Sequence, residues 1–211
     1  MQYPMLAAAV LWLVGALPLM AAQSPEANPP YPPSPVLTGI VWHWDTHKTA
    51  ALGSDLWPVT WAADGHLYAA WGDGGGFGGT DFDGRVAMGF ARIEGPPERM
   101  RGVNINGGKG PEHPASLPDR GKTGGMVAVG DTLSAWINQQ DGTWPDVSFT
   151  LAWLLDKGAT WSNSGWVFPK GAGRIKPGTF LQYGKGYSGV PKALAGYVYF
   201  YAVRQGNEAE L

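Results

Sequence analysis

The chain has 211 residues, a formal net charge of −2 at pH 7 and only 15% charged residues. It therefore carries no electrostatic footprint for nucleic acid or for an anionic membrane, and self-repulsion does not keep its main body disordered. With no cysteine, disulfides, a thiolate nucleophile and Cys-based metal sites are excluded. The outliers are 11 Trp and 32 Gly. Trp at this density suits a β-rich core or flat faces for stacking, and Gly at this density implies many tight turns and little long helix. The length fits one domain of moderate size or part of a larger one.

Met1 to Ala22 reads as a secretory signal, with an apolar run from Leu6 to Met20 and small residues before Gln23. Its n-region lacks Lys and Arg. A membrane anchor is the alternative, but the run falls short of the roughly 20 residues a span needs and contains Pro18. Residues 23–35 hold the run Pro29-Pro30-Tyr31-Pro32-Pro33, which favours extended polyproline conformation and predicts a linker. Val36 to Trp44 predicts a first strand, and residues 36–211 form the expected folded domain.

A hairpin is expected next, from Gly53 to Trp61 and back through Leu67 to Trp71, turning at Asp64-Gly65. Val59, Trp61, Leu67, Tyr68 and Trp71 supply the surface that this sheet would bury. Gly72 to Gly84 predicts a mobile or irregular loop, and no Gly-Lys-Ser/Thr follows to make it a phosphate cradle. Arg85 to Ile93 is strand-like and stops at Gly95-Pro96-Pro97. Val103 and Ile105 alternate within a polar stretch. A second hairpin turns at Gly130-Asp131, a third at Asp156-Lys157-Gly158, and a last pair of strands is expected at Thr179–Tyr183 and Tyr197–Val203. No stretch has a sustained helical period. Repeated hairpins without helices mean a sandwich, barrel or propeller.

Asp156-Lys157-Gly158-Ala159-Thr160-Trp161 matches the core of the Asp-box, the hairpin turn pattern Asp-x-Gly-x-Thr-Trp that recurs in sialidase-like β-propellers. Leu154 stands where that box usually has Ser. In such a turn the carboxylate accepts backbone N–H bonds, so Asp156 is structural. Together with Gly53 to Trp61, Tyr68 to Gly74, Gly89 to Ile93, Arg101 to Ile105 and Gly121 to Met126, the chain resembles a bacterial family catalogued as domain of unknown function 4185. The resemblance implies an all-β, five-bladed β-propeller, and some members of that family are described as endo-acting D-arabinan hydrolases. A blade takes about 40 to 50 residues, so the propeller is expected to be incomplete at the C-terminus, with an exposed edge strand.

The expected hairpin brings Asp55 and Asp73 to one rim of a sheet. Glycoside hydrolysis needs an acid to protonate the leaving oxygen and a second carboxylate as nucleophile or base. Asp55 and Asp73 are the catalytic candidates, although Asp also caps turns through its own backbone bonds. Trp57 is a candidate stacking platform, and Arg101 and Lys122 are candidate ligand-orienting cations. Asp81 and Asp83 are weak candidates for Ca²⁺ and fit a solvated loop better. His43, His47, His66 and His113 lack zinc spacing, and no serine sits in a nucleophile elbow. No cofactor is expected. The expected function is a secreted or periplasmic glycoside hydrolase acting on a polysaccharide, D-arabinan included. The alternatives are a non-catalytic carbohydrate-binding or cell-surface propeller and an inactive truncated fragment. Neither nucleic acid nor, after signal cleavage, a membrane is an expected partner.

Overall fold

The computed structural model describes residues 32–115, 121–139, 148–157, 159–171 and 173–206; the expected signal at 1–22 and most of the linker lie outside them. The chain divides into two units at His43–Trp44. In the first, residues 32–43 are exposed and irregular. The strand expected over Val36–Trp44 does not form, because no neighbouring strand pairs with it, and Trp44–Thr46 is a short 3₁₀ turn.

The second unit is built of antiparallel strands. Sheet one is the meander β1 (Val59–Trp61), β2 (Leu67–Gly72), β3 (Met88–Glu94) and β4 (Arg101–Asn106). Sheet two repeats that order with β5 (Gly121–Val129), β6 (Thr132–Gln139), β7 (Ser148–Leu154) and β8 (Ser162–Pro169). The third has two strands, β9 (Ile175–Phe180) and β10 (Phe200–Arg204). All three expected hairpins form at the expected turns. Among the described residues there is no α-helix, and no helix is long and apolar enough to cross a membrane.

The sheets stack face to face through the period-2 alternation of their strands. Met126 and Ala128 on β5 join Tyr68, Phe90 and Ile105 of sheet one in one buried cluster. Val127, pointing the other way, packs with Trp136, Phe180 and Tyr187. Trp136 stacks on Phe180 at 5.5 Å with 5° between the rings. β5, the first strand of sheet two, is thus buried on both faces, whereas β8 at the other edge is largely exposed.

The first strands of the sheets lie side by side and run the same way. Near one end, Lys122 of β5 reaches the Asp73 carboxylate. At the middle, Thr60 Oγ1 accepts the Ala128 amide at 2.8 Å and donates to Gln182 Oε1 at 2.9 Å. At the other end, Ala63 N–H donates to Gly130 O and Gly130 N–H to Gly186 O, each at 3.0 Å. Thr60 corrects the reading of the first hairpin. It is the buried residue of β1, whereas Val59 and Trp61 are 45% and 47% exposed and Leu67 is 37% exposed. The inner edge of β5 has unpaired amides to satisfy, and a hydroxyl does that where an apolar side chain does not.

Side chains from the turns of the β1–β2, β5–β6 and β7–β8 hairpins meet at that same end. Asp64 Oδ2 accepts from Tyr68 OH at 2.8 Å and from Lys157 Nζ at 3.0 Å, and Asp64 Oδ1 accepts the His66 amide at 2.9 Å. Lys157 also lies 3.4 Å from Asp131 Oδ1. Burial works against the Asp64 charge, but the His66 amide, Lys157 and Tyr68 together outweigh it and hold the carboxyl below its ordinary 3.8. A depressed folded-state pKa contributes stability above the unfolded value and loses it as pH falls. The native chain should therefore lose melting temperature between about pH 5 and 3 more steeply than Asp64→Asn. Parallel melting curves across that range check it.

Candidate functional site

The rim opposite those turns is where β1 approaches from Asp55 and β2 ends at Gly72. Asp55 N–H donates to Gly72 O at 2.9 Å and Gly72 N–H donates to Asp55 O at 2.8 Å, a bridge that extends the hairpin by one closed pair. Asp55 and Asp73 are thereby neighbours on one rim, as the hairpin reading expects. Gly72 is small for a reason. A Cβ there would sit 2.8 Å from Asp55 Oδ1, 3.0 Å from Leu56 Cδ1 and 3.0 Å from Lys122 Cδ. Leu56 and Asp73 adopt positive φ, 51° and 49°. Asp tolerates that conformation through local hydrogen bonds, but Leu does not, so the rim holds a strained residue directly beside Asp55.

Asp73 sits between two cations. Its Oδ1 lies 2.8 Å from Lys122 Nζ and 3.2 Å from Arg85 Nη2. Lys122 is only 12% exposed, and it also donates to Ala87 O at 2.7 Å, so sheet two contributes directly to a rim otherwise made by sheet one. Asp55 is exposed and enters no ion pair among the described residues. The two carboxylates therefore have different surroundings, one clamped and one open to solvent.

The Gly-rich stretch after Asp73 is irregular, as expected, but it is pinned rather than loose. Trp71 is fully buried and donates from Nε1 to Gly74 O at 3.0 Å. Its indole fills a slot floored by glycines: a Cβ at Gly89, Gly76 or Gly108 would come within 2.2, 2.6 or 2.8 Å of the ring. Asn104, 4% exposed, holds the loop from below. Its Oδ1 accepts the Phe77 amide at 2.9 Å, and its Nδ2 faces the carbonyls of Gly75, Phe77 and Lys109 at 3.2, 2.9 and 2.8 Å. Ser54 Oγ accepts the Gly76 amide at 2.9 Å, which ties the segment before Asp55 to the same loop.

Trp57 is half-buried and stacks on Trp71 at 5.5 Å with 25° between the planes, with Phe77 edge-on at 5.4 Å. Its indole N–H donates to Ser54 O at 3.2 Å. It anchors the rim, and one of its faces is already occupied. Lys122 joins the rim, but Arg101 does not. Arg101 opens β4 opposite Glu94, at the far end of a sheet whose near end pairs Gly72 with Met88. It lies 3.6 Å from the Glu94 carboxylate and is 76% exposed. A strand rise of about 3.3 Å per residue puts it about 20 Å along the sheet from the carboxylate pair. Arg85 is the rim residue that sequence reasoning missed, since it reads there only as the start of a strand.

Asp81 and Asp83 face Arg85 and Lys109 respectively, in close ion pairs. Among the described residues no three His, Asp or Glu side chains gather as a metal-binding group. The Asp156 carboxylate accepts the Thr160 amide at 3.0 Å and its hydroxyl at 2.5 Å, and Trp161 packs on Phe90 with ring centroids 4.2 Å apart. Among the described residues of this turn, Lys157 has positive φ, at 55°. No protein-family model matches the chain, and no curated protein matches it.

Proposed function

We propose that the three sheets are successive blades of a β-propeller of the five-bladed type and that the Asp55–Asp73 rim acts on a polysaccharide outside the cytoplasm. What supports the propeller is the repeated four-strand meander with co-directional first strands at its centre. The observation that carries the function is the Asp55–Gly72 bridge, which brings Asp55 to the backbone beside Asp73 where the first strand of a sheet begins. In the hydrolytic reading one carboxyl group protonates the glycosidic oxygen as the bond to the sugar breaks. The other attacks the sugar carbon, or takes a proton from the water that does.

A second reading rests on the clamp. With Lys122 and Arg85 both on Asp73 Oδ1, the rim is also suited to holding hydroxyl-rich glycans without cutting them, as a carbohydrate-binding module does. The two separate on a panel of polysaccharides, arabinans included, incubated with the native chain. Release of new reducing ends supports the hydrolase. Retention of an unaltered glycan moves the assignment to the binding module. Neither release nor retention, by a chain that melts cooperatively, removes both.

A further inference from the structure

The first hairpin breaks its own register at the candidate site. Val59 pairs with Ala69 and Thr60 with Tyr68, and the Ala70 amide, donating to Pro58 O at 3.1 Å, carries that register back to Pro58. Continued unchanged, it would set Leu56 opposite Gly72 and Asp55 opposite Asp73. Instead Asp55 takes the place opposite Gly72, so Leu56 and Trp57 together face Trp71 across the hairpin. Two residues against one make a β-bulge, and a shift of one residue turns a side chain to the other face of a sheet. Asp55 is thereby aimed to the side that Lys122 covers. Its Oδ1, Leu56 Cδ1 and Lys122 Cδ converge on the place that a side chain at Gly72 would fill.

In one common type of bulge the first residue lies in the left-handed region and is Gly. Here it is Leu56, at φ 51°. The backbone would adopt this conformation more readily without the side chain. Nor does the core take that side chain in, since Leu56 is 52% exposed. We propose that Leu56 is the apolar wall of the glycan site, packing on the C–H face of the sugar residue whose hydroxyls meet Asp55. This rests on the reading of the rim as a glycan site. Ligand sites combine apolar walls with a few placed polar groups, and the bulge supplies one of each in adjacent residues.

The half-saturation concentration of the full chain for soluble arabinan and for xylan tests this. It is taken from initial rates where the polymer is cut and from calorimetry where it is retained. Gly and Asn both populate positive φ, so Leu56→Gly and Leu56→Asn should keep the bulge and melt within about 3 °C of the native chain. Each should raise the half-saturation concentration about 5- to 10-fold, the worth of covering half a leucine side chain. Leu56→Met keeps an apolar arm and should stay within about twofold of native. Asp55→Trp separates the wall from the rim, because it fills an exposed position and blocks the site whatever stands at Leu56. Unchanged half-saturation in Leu56→Gly and Leu56→Asn, with recognition lost in Asp55→Trp, overturns the wall and leaves the rim reading standing. Recognition that survives Asp55→Trp, or that the native chain lacks for both polymers, overturns the wall together with the rim reading it rests on.

Discussion

Trp71→Ala should destabilise the fold by about 3–5 kcal/mol, the range for deleting a fully buried aromatic side chain. The site collapses little around the loss, because apart from Trp57 the slot is walled by glycine backbone. Gly76, Gly89 and Gly108 already lie against the ring, with no side chains to swing inward. The same substitution removes the stacking partner of Trp57 and the donor to Gly74 O. The rim should therefore loosen before the rest of the domain. Chemical denaturation gives the stability change, and amide exchange at Gly72 to Gly76 should rise more than exchange in β5 to β7. A variant within about 1 kcal/mol of native would mean that Trp71 does not organise this loop.

The second large effect falls on catalysis. Under the hydrolytic reading, Asp55→Asn and Asp73→Asn should each lower kcat by about 10²- to 10⁴-fold, the worth of a positioned acid or base. The two should differ in stability. Asp55 is exposed and enters no ion pair among the described residues, so its amide variant should melt like the native chain. Asp73→Asn leaves Lys122, only 12% exposed, without a carboxylate, so a loss of about 1–3 kcal/mol is expected. Arg101→Ala is the control for place. Arg101 stands at the opposite end of its sheet, so kcat and KM should both stay within about twofold of native. Initial rates and melting curves on the four proteins check all of this together.

The hairpins were legible because alternation and Asp-Gly or Gly-Asp turns are local signals. The neighbourhood of Asp55 and Asp73 followed from the first of them. Three features were not legible, each because its cause lies far off in sequence. Thr60 reads as the polar side of β1, and only the edge of β5, across the sheet boundary, makes it the buried one. Residues 72–84 read as loose because the side chain that ties them to the sheet lies elsewhere: Asn104, 27 residues beyond Phe77. Val36 to Trp44 has strand composition, but composition does not supply a neighbour to pair with. Arg101 and Lys122 read alike as rim cations, yet one opens an outer strand and the other an innermost one. Arg85 became a rim residue only once the loop folded back, with Val86 N–H on Gly74 O at 3.1 Å.

The central claim is one of place: a glycan binds where Asp55 and Asp73 meet. A crystal structure of Asp73→Asn with an oligosaccharide cut from the polysaccharide that the native chain recognises tests it most directly. The account predicts a sugar ring against the exposed Asp55 side chain, within hydrogen-bond reach of Asp55 and Lys122. A ligand bound at the Arg101 end of the sheet, with this rim empty, would contradict it.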